Sequence, residues 1–117
     1  MRRGRAAIRA PRAVKLAGAV RSTVVHKGAG GTVTLKGRIA KRGSSPLLTA
    51  VVELVQGRRV SRLGAASLRG AAVKAGRFSL PVRVKRLPRG ARLRLTVALT
   101  DEAAGLATVR RTANGRS

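Results

Sequence analysis

The sequence contains no cysteine, tryptophan or tyrosine, one phenylalanine, and only three acidic residues among its 117 positions. Without cysteine, the chain can form neither a disulfide nor a thiolate metal site. With one aromatic residue, a core has to be built from aliphatic side chains. Three carboxylates are too few for a calcium site of high charge. The length leaves room for one domain with a modest aliphatic core that no covalent or metal cross-link supports.

Long apolar runs are also missing. Residues 1–12 are basic, as the start of a secretory signal is, but the apolar run that follows, residues 16–20, is shorter than the roughly 7–15 residues of a signal core. No stretch approaches the roughly 18 apolar residues of a membrane span. We therefore expect no membrane span and no signal peptide in this chain. Because no hydrophobic period holds there, residues 1–12 are predicted to form a basic disordered arm or linker.

Basic residues dominate what is present, with 27 lysines and arginines and a net charge of +24. A field of that size attracts polyanions such as nucleic acid, anionic lipid or an acidic wall polymer. The basic residues are spread along the whole chain, and most are arginine, whose codons are GC-rich. Two explanations of the charge therefore stay open: a GC-rich genome, or selection for binding a ligand. The candidate polyanion-contacting residues, at predicted outward strand positions, are Lys36, Arg38, Arg77, Arg83, Lys85, Arg92 and Arg94.

Residues 76–84 carry the only aromatic residue, Phe78, on a strictly alternating pattern. Apolar side chains occupy every second position, which predicts a half-buried strand with one dry and one wet face. Pro81 falls on the wet face and lacks an N–H group, so this strand is expected at a sheet edge or at a bulge.

The same alternation predicts strands over residues 33–40, 50–55, 60–63, 91–100 and 106–112. Residues 14–24 fit one long or two short strands, with an alanine-rich helix over 13–20 as the alternative. Residues 64–75 are predicted to be a loop with at most one irregular strand, because alanine there favours helix and glycine breaks it. About seven short strands separated by turn residues predict an all-β, antiparallel β-sandwich over residues 13–112, with a frayed tail over 113–117.

Several of these segments resemble the immunoglobulin-like modules of bacterial proteins and the carboxypeptidase regulatory-like, or prealbumin-like, sandwich modules. The segments are Val-Thr-Leu-Lys-Gly-Arg-Ile over 33–39, Ala-Val-Val-Glu-Leu over 50–54, Gly-Arg-Phe-Ser-Leu over 76–80 and Leu-Pro-Arg-Gly over 87–90, with 95–105 similar to a closing hairpin. The resemblance implies a non-catalytic spacer or adhesion unit of a secreted or cell-surface protein. It also implies an extracellular or cell-envelope location, and neighbouring domains or cell-envelope polymers as partners.

Residue types that carry chemistry are scarce. His26 is the single histidine and stands before a glycine run, where we interpret it as an exposed loop residue. Asp101 and Glu102 are adjacent, so we expect them to make local hydrogen bonds at a turn instead of forming an acid/base pair. Glu53 is expected to pair with an arginine of a neighbouring strand. We therefore predict no catalytic residue, no metal and no cofactor, and keep an enzyme only as a distant alternative.

Two functions remain open at this stage. The first is the non-catalytic spacer or adhesion module. The second is a small cationic protein that binds nucleic acid or another polyanion through phosphate contacts, without sequence preference, because the chain has no exposed aromatic residues for stacking on bases.

Overall fold

In the computed structural model, which describes residues 13–103 and 107–117, the chain forms two packed antiparallel sheets. The three-stranded sheet has the order β1-β2-β5, and the four-stranded sheet has the order β4-β3-β6-β7. The predicted all-β sandwich is confirmed. The strands are β1 (Lys15–Lys27), β2 (Gly30–Lys41), β3 (Pro46–Gln56), β4 (Arg59–Arg69), β5 (Gly76–Val84), β6 (Arg92–Asp101) and β7 (Ala107–Arg116).

The core between the sheets is aliphatic, as predicted. Every second residue of β2, β3, β5 and β6 points into it, because successive side chains leave a strand on opposite faces. Leu93, Leu95, Val97 and Leu99 of β6 are each at most 1% exposed. The largest fully buried side chains of the other elements are Val14, Val33, Leu35, Ile39, Leu48, Val52, Val73 and Val82.

Strand β5 behaves as its alternating pattern predicts. Leu80 and Val82 are buried, Pro81 is exposed, and β5 is an edge strand, since among the described strands it pairs with β2 alone. Phe78 packs against the core, and its ring covers the inner side of Gly37, its cross-strand partner. A Cβ atom on Gly37 would lie 2.7 Å from that ring, so a larger residue there would displace the only aromatic side chain.

The strand order is compatible with an immunoglobulin-like sandwich. In the constant-type immunoglobulin arrangement the fourth strand joins the first, second and fifth strands. Here β4 pairs with β3 instead, through a hairpin whose two turn residues are Gly57 and Arg58. Gly57 has a φ of +61°, which glycine adopts without steric cost. The two-residue turn holds β4 beside β3 along most of its length.

The first strand is continuous, so the helical alternative over residues 13–20 is wrong. Ala17 pairs with Arg38 and Arg21 pairs with Lys36, so residues 18–20 of β1 lie opposite the single residue Gly37. The extra residues form a bulge, which interrupts the apolar alternation that the sequence shows up to Leu16.

Of residues 64–75, predicted to be a loop with at most one irregular strand, residues 64–69 form a strand, the second half of β4, and the rest lie between β4 and β5. Gly64 lies close to the backbone of the other sheet, because a Cβ atom there would be 2.9 Å from the carbonyl oxygen of Arg83. A short 3-10 turn, Gly70–Ala72, then leads towards β5.

The predicted frayed tail over 113–117 is also wrong, because β7 pairs with β6 as far as Arg116. Gly115 faces the core without a side chain, and a Cβ atom there would lie 3.2 Å from Leu95 Cδ1. Ser117 accepts a hydrogen bond from the Gly90 amide at 2.7 Å and donates its own amide to the Ala91 carbonyl at 3.0 Å. The predicted arm over residues 1–12 lies outside the described residues.

Candidate polyanion-binding face

The seven candidate basic residues are divided between the two sheets. Five lie on or beside the three-stranded sheet, on β2, on β5 and directly after β5, and two lie on β6 of the four-stranded sheet. All seven are exposed to solvent. The five are Lys36, Arg38, Arg77, Arg83 and Lys85, and the two are Arg92 and Arg94.

Four basic residues converge near the bulge of β1, on the outer face of the three-stranded sheet. Arg38 of β2 lies directly opposite Arg77 of β5, and Lys36 of β2 lies directly opposite Arg21 of β1. Lys36 and Arg38 are two positions apart on one strand and therefore share a face. We call these four residues, Arg21, Lys36, Arg38 and Arg77, the cationic cluster.

The cluster surrounds a shallow depression of about 460 Å³. On the β1 side it is lined by Ala17, Gly18 and Ala19, and because none of them has a large side chain the space stays open. Gly18 has a φ of +71°, a conformation that favours glycine at this point of the bulge. The bulge therefore provides both the depression and the register that brings Arg21 opposite Lys36.

Arg21 was not among the predicted residues. It follows the segment over 14–20 whose structure the sequence left ambiguous, and its neighbours across the sheet depend on the bulge. Arg83 and Lys85, which were predicted, lie at the other end of the sheet, near the turn that joins β1 to β2.

No carboxylate lies within the described strands β1, β2 and β5, so the cationic cluster has no acidic partner on its own sheet. Like charges directly opposite each other on a sheet destabilise it. The cluster holds two such pairs in adjacent positions. An anion bound between them would replace this repulsion with attraction.

On the four-stranded sheet, one predicted basic residue is already paired. The Nε atom of Arg94 donates to Glu53 Oε1 at 3.0 Å, and the two residues are direct partners across β3 and β6. The predicted pairing of Glu53 with an arginine of a neighbouring strand is confirmed. Arg92 lies opposite Arg116 at the end of β6 and β7, where Val55 and Val60 add apolar surface.

Asp101 and Glu102 do not converge on one site. Asp101 is 1% exposed, and its carboxylate accepts hydrogen bonds from the backbone amides of Ser44, Ser45 and Ala103 at 3.0–3.1 Å. Glu102 pairs with Arg69, with 2.8 Å between Oε1 and Nη1. Asp101 thus connects the end of β6 to the loop between β2 and β3, which agrees with the local hydrogen bonding expected for it.

His26 belongs to β1, where it is half-buried opposite Gly31, so the interpretation as an exposed loop residue is wrong. Among the residues that the structure describes, histidine and the acidic residues form no group of three that could hold a metal ion. Within the same residues, no helix has the length and apolar character needed to cross a bilayer.

Comparison of the chain with protein-family models, with curated proteins and with solved structures gives no match.

Proposed function

We propose that this chain is a non-catalytic β-sandwich module that acts as a spacer or adhesion unit in a secreted or cell-surface bacterial protein. The strand order, which is compatible with an immunoglobulin-like sandwich, supports this proposal, together with the sequence segments that resemble bacterial immunoglobulin-like modules. The contacts of the three carboxylates support it further. Glu53 and Glu102 pair with arginines, and Asp101 binds backbone amides, so all three have structural partners.

The observation that carries the spacer function is the position of the first and last strands. β1 begins beside the end of β2, and β7 ends beside the start of β6. Four residues join the end of β2 to the start of β3, so β3 begins at the same end of the sandwich as β1. Because β6 runs antiparallel to β3, the start of β6, where β7 ends, lies at the opposite end. A load applied between Lys15 and Arg116 therefore acts along the strands, across hydrogen bonds that run perpendicular to it and share it.

Single-molecule pulling tests the spacer function. With the chain held at its two ends, we expect one abrupt unfolding event that releases roughly 300 Å, because about 100 residues span about 330–360 Å when extended and the folded strands already separate the ends by about 30–40 Å. Gradual lengthening without an abrupt event would show that the sandwich does not bear load, and would overturn the spacer function.

A second function, non-specific polyanion binding, is favoured by the cationic cluster and by the net charge of +24. Titration of a short DNA duplex at increasing salt tests it. The affinity is expected to fall steeply, with a log–log slope of about −0.9 per phosphate neutralised. Absence of binding to the duplex and to heparin at about 50 mM salt, a condition that favours electrostatic association, would overturn it.

A further inference from the structure

We propose that the outer face of the three-stranded sheet is a binding surface for the phosphate backbone of duplex nucleic acid, with the cationic cluster at its centre. This inference rests on the second proposed function. It adds the location of the surface, the residues that bind phosphate and the form of nucleic acid that fits.

The composition of the cluster suits phosphate groups. Three of its four members are arginines, and the planar guanidinium presents several N–H donors that match two oxygens of one phosphate. All four side chains are exposed, and on this sheet no carboxylate competes for them within the described strands. The charge is therefore available to a ligand, unlike that of Arg94, which Glu53 already engages.

The spacing within the cluster suits a regular array of charges. Positions two apart on a strand are separated by about 6.6–6.8 Å, and neighbouring strands lie about 4.8 Å apart. Each strand of a duplex carries one phosphate for every 3.4 Å or so of helix axis, so the length of axis beside Lys36 and Arg38 holds about two phosphates of each strand. Arg21 and Arg77 broaden the array on either side of β2.

The absence of aromatic side chains on this face favours a duplex over a single strand. Proteins that hold single strands stack the bases on exposed aromatic residues. The one aromatic residue of this chain, Phe78, packs against the core on the opposite side of the sheet. On the outer face, the residues beside the cationic cluster include Thr34, Ser79 and Pro81, which are short or polar. They leave a surface that the rigid backbone of a duplex can approach.

The test compares two variants of equal charge. The face variant carries Arg21→Gln, Lys36→Gln, Arg38→Gln and Arg77→Gln. The control variant carries Arg62→Gln, Arg92→Gln, Arg110→Gln and Arg116→Gln, which removes four exposed arginines from the outer face of the four-stranded sheet. Each variant lowers the net charge of +24 by four. Circular dichroism establishes that both retain the β-sheet spectrum of the unmodified chain.

We expect the face variant to bind a short DNA duplex at least tenfold more weakly than the control variant, and equally so for unrelated sequences. The magnitude of its salt slope should fall by about 0.9 for each phosphate that is no longer neutralised, which is about 3.6 if each of the four side chains neutralises one phosphate. The control variant should keep nearly the slope of the unmodified chain.

Each other result overturns the inference in a distinguishable way. Equal weakening in both variants would leave the polyanion function standing and overturn the location. No binding by the unmodified chain to the duplex, to heparin or to phosphatidylglycerol vesicles would overturn both. Binding to phosphatidylglycerol vesicles or to heparin, sensitive to the face variant, with no binding to DNA, would assign the surface to another polyanion. Tighter binding to a single strand than to the duplex would overturn the form of nucleic acid.

Discussion

The two sheets of the sandwich have similar inner faces and different outer faces. Inside, both present aliphatic side chains, such as Leu35 of β2 and Leu95 of β6. Outside, the three-stranded sheet carries basic residues with no carboxylate among its described strands, while the four-stranded sheet carries Glu53, with Glu102 directly after β6. The inner faces are alike because both seal one core, and the outer faces are free to differ because water solvates either kind.

The outer faces differ in whether their basic residues have carboxylate partners within the fold or are left for a ligand or for solvent. On the four-stranded sheet, Arg94 and Arg69 each have a carboxylate within hydrogen-bond distance. On the three-stranded sheet, Arg38 faces Arg77 instead. Net charge alone would treat these arginines as equivalent, whereas their cross-strand partners distinguish them.

The largest expected effect tests whether the inner faces of both sheets contribute to the stability of the core. Leu35→Ala and Leu95→Ala should each lower the free energy of unfolding by about 2–5 kcal/mol, because each removes a fully buried side chain and leaves a cavity. Urea denaturation measures both. Val25→Ala, at a position that is 62% exposed, is the control and should change stability by less than about 0.5 kcal/mol. A cost below about 1 kcal/mol for either leucine would show that its sheet contributes little to the core.

The next effect concerns the carboxylate that joins the four-stranded sheet to the loop after β2. Asp101→Ala should lower the free energy of unfolding by about 1–3 kcal/mol, because the amides of Ser44, Ser45 and Ala103 lose their acceptor. Thermal unfolding followed by circular dichroism measures it. Glu102→Ala removes a more exposed carboxylate and should cost less than about 1 kcal/mol. Equal costs for the two substitutions would contradict the structural role of Asp101.

A smaller effect sharpens the difference between the outer faces. The melting temperature of the unmodified chain should rise between very low and physiological ionic strength, because salt screens repulsion beyond about 8–10 Å. The face variant removes two like-charge cross-strand pairs, whereas the control variant removes one, Arg92 opposite Arg116, so the face variant should show the smaller rise. Differential scanning calorimetry compares the three proteins. The same rise in both variants would mean that the cluster is no more strained than the other outer face.

The smallest effect belongs to the exposed ion pair. Glu53→Gln should change the free energy of unfolding by no more than about 1 kcal/mol, because the side chain of its partner Arg94 is 44% exposed and water solvates both charges. A double-mutant cycle with Arg94→Gln measures the pair alone. A coupling larger than about 1 kcal/mol would show that the pair is shielded from solvent.

The strands that were predicted well are those whose apolar residues alternate without interruption. β5 and β6 match the expected ranges closely, and Pro81 is at the sheet edge that its missing N–H group requires. Residues 64–69 were predicted only as part of a loop with at most one irregular strand, because alanine, serine and glycine carry no strong alternation, and β4 extends there through its ladder with β3. Residues 113–116 were missed for a related reason: Ala113 and Gly115 face inward but are too small to be recognised as core positions.

The candidate face was predicted in part. Lys36, Arg38 and Arg77 stand on clear alternating strands, so their outward direction followed from period 2 alone. Their grouping did not, because it depends on which strands are neighbours. Arg21 was missed because the bulge shifts its register. The sequence predicted that Glu53 pairs with an arginine, and the pairing of β3 with β6 identifies that arginine as Arg94.

Local patterns were sufficient for the class of fold and the make-up of its interior. An aliphatic residue at every second position predicts half-buried strands, and two layers of such strands bury their apolar faces against each other. Long-range contacts were needed for the rest. The choice of β3 as the partner of β4, the bulge that places Arg21 opposite Lys36, and the amides that receive the carboxylate of Asp101 all join residues distant in the chain. Such contacts depend on how complete strands pack, which no short stretch of residues encodes.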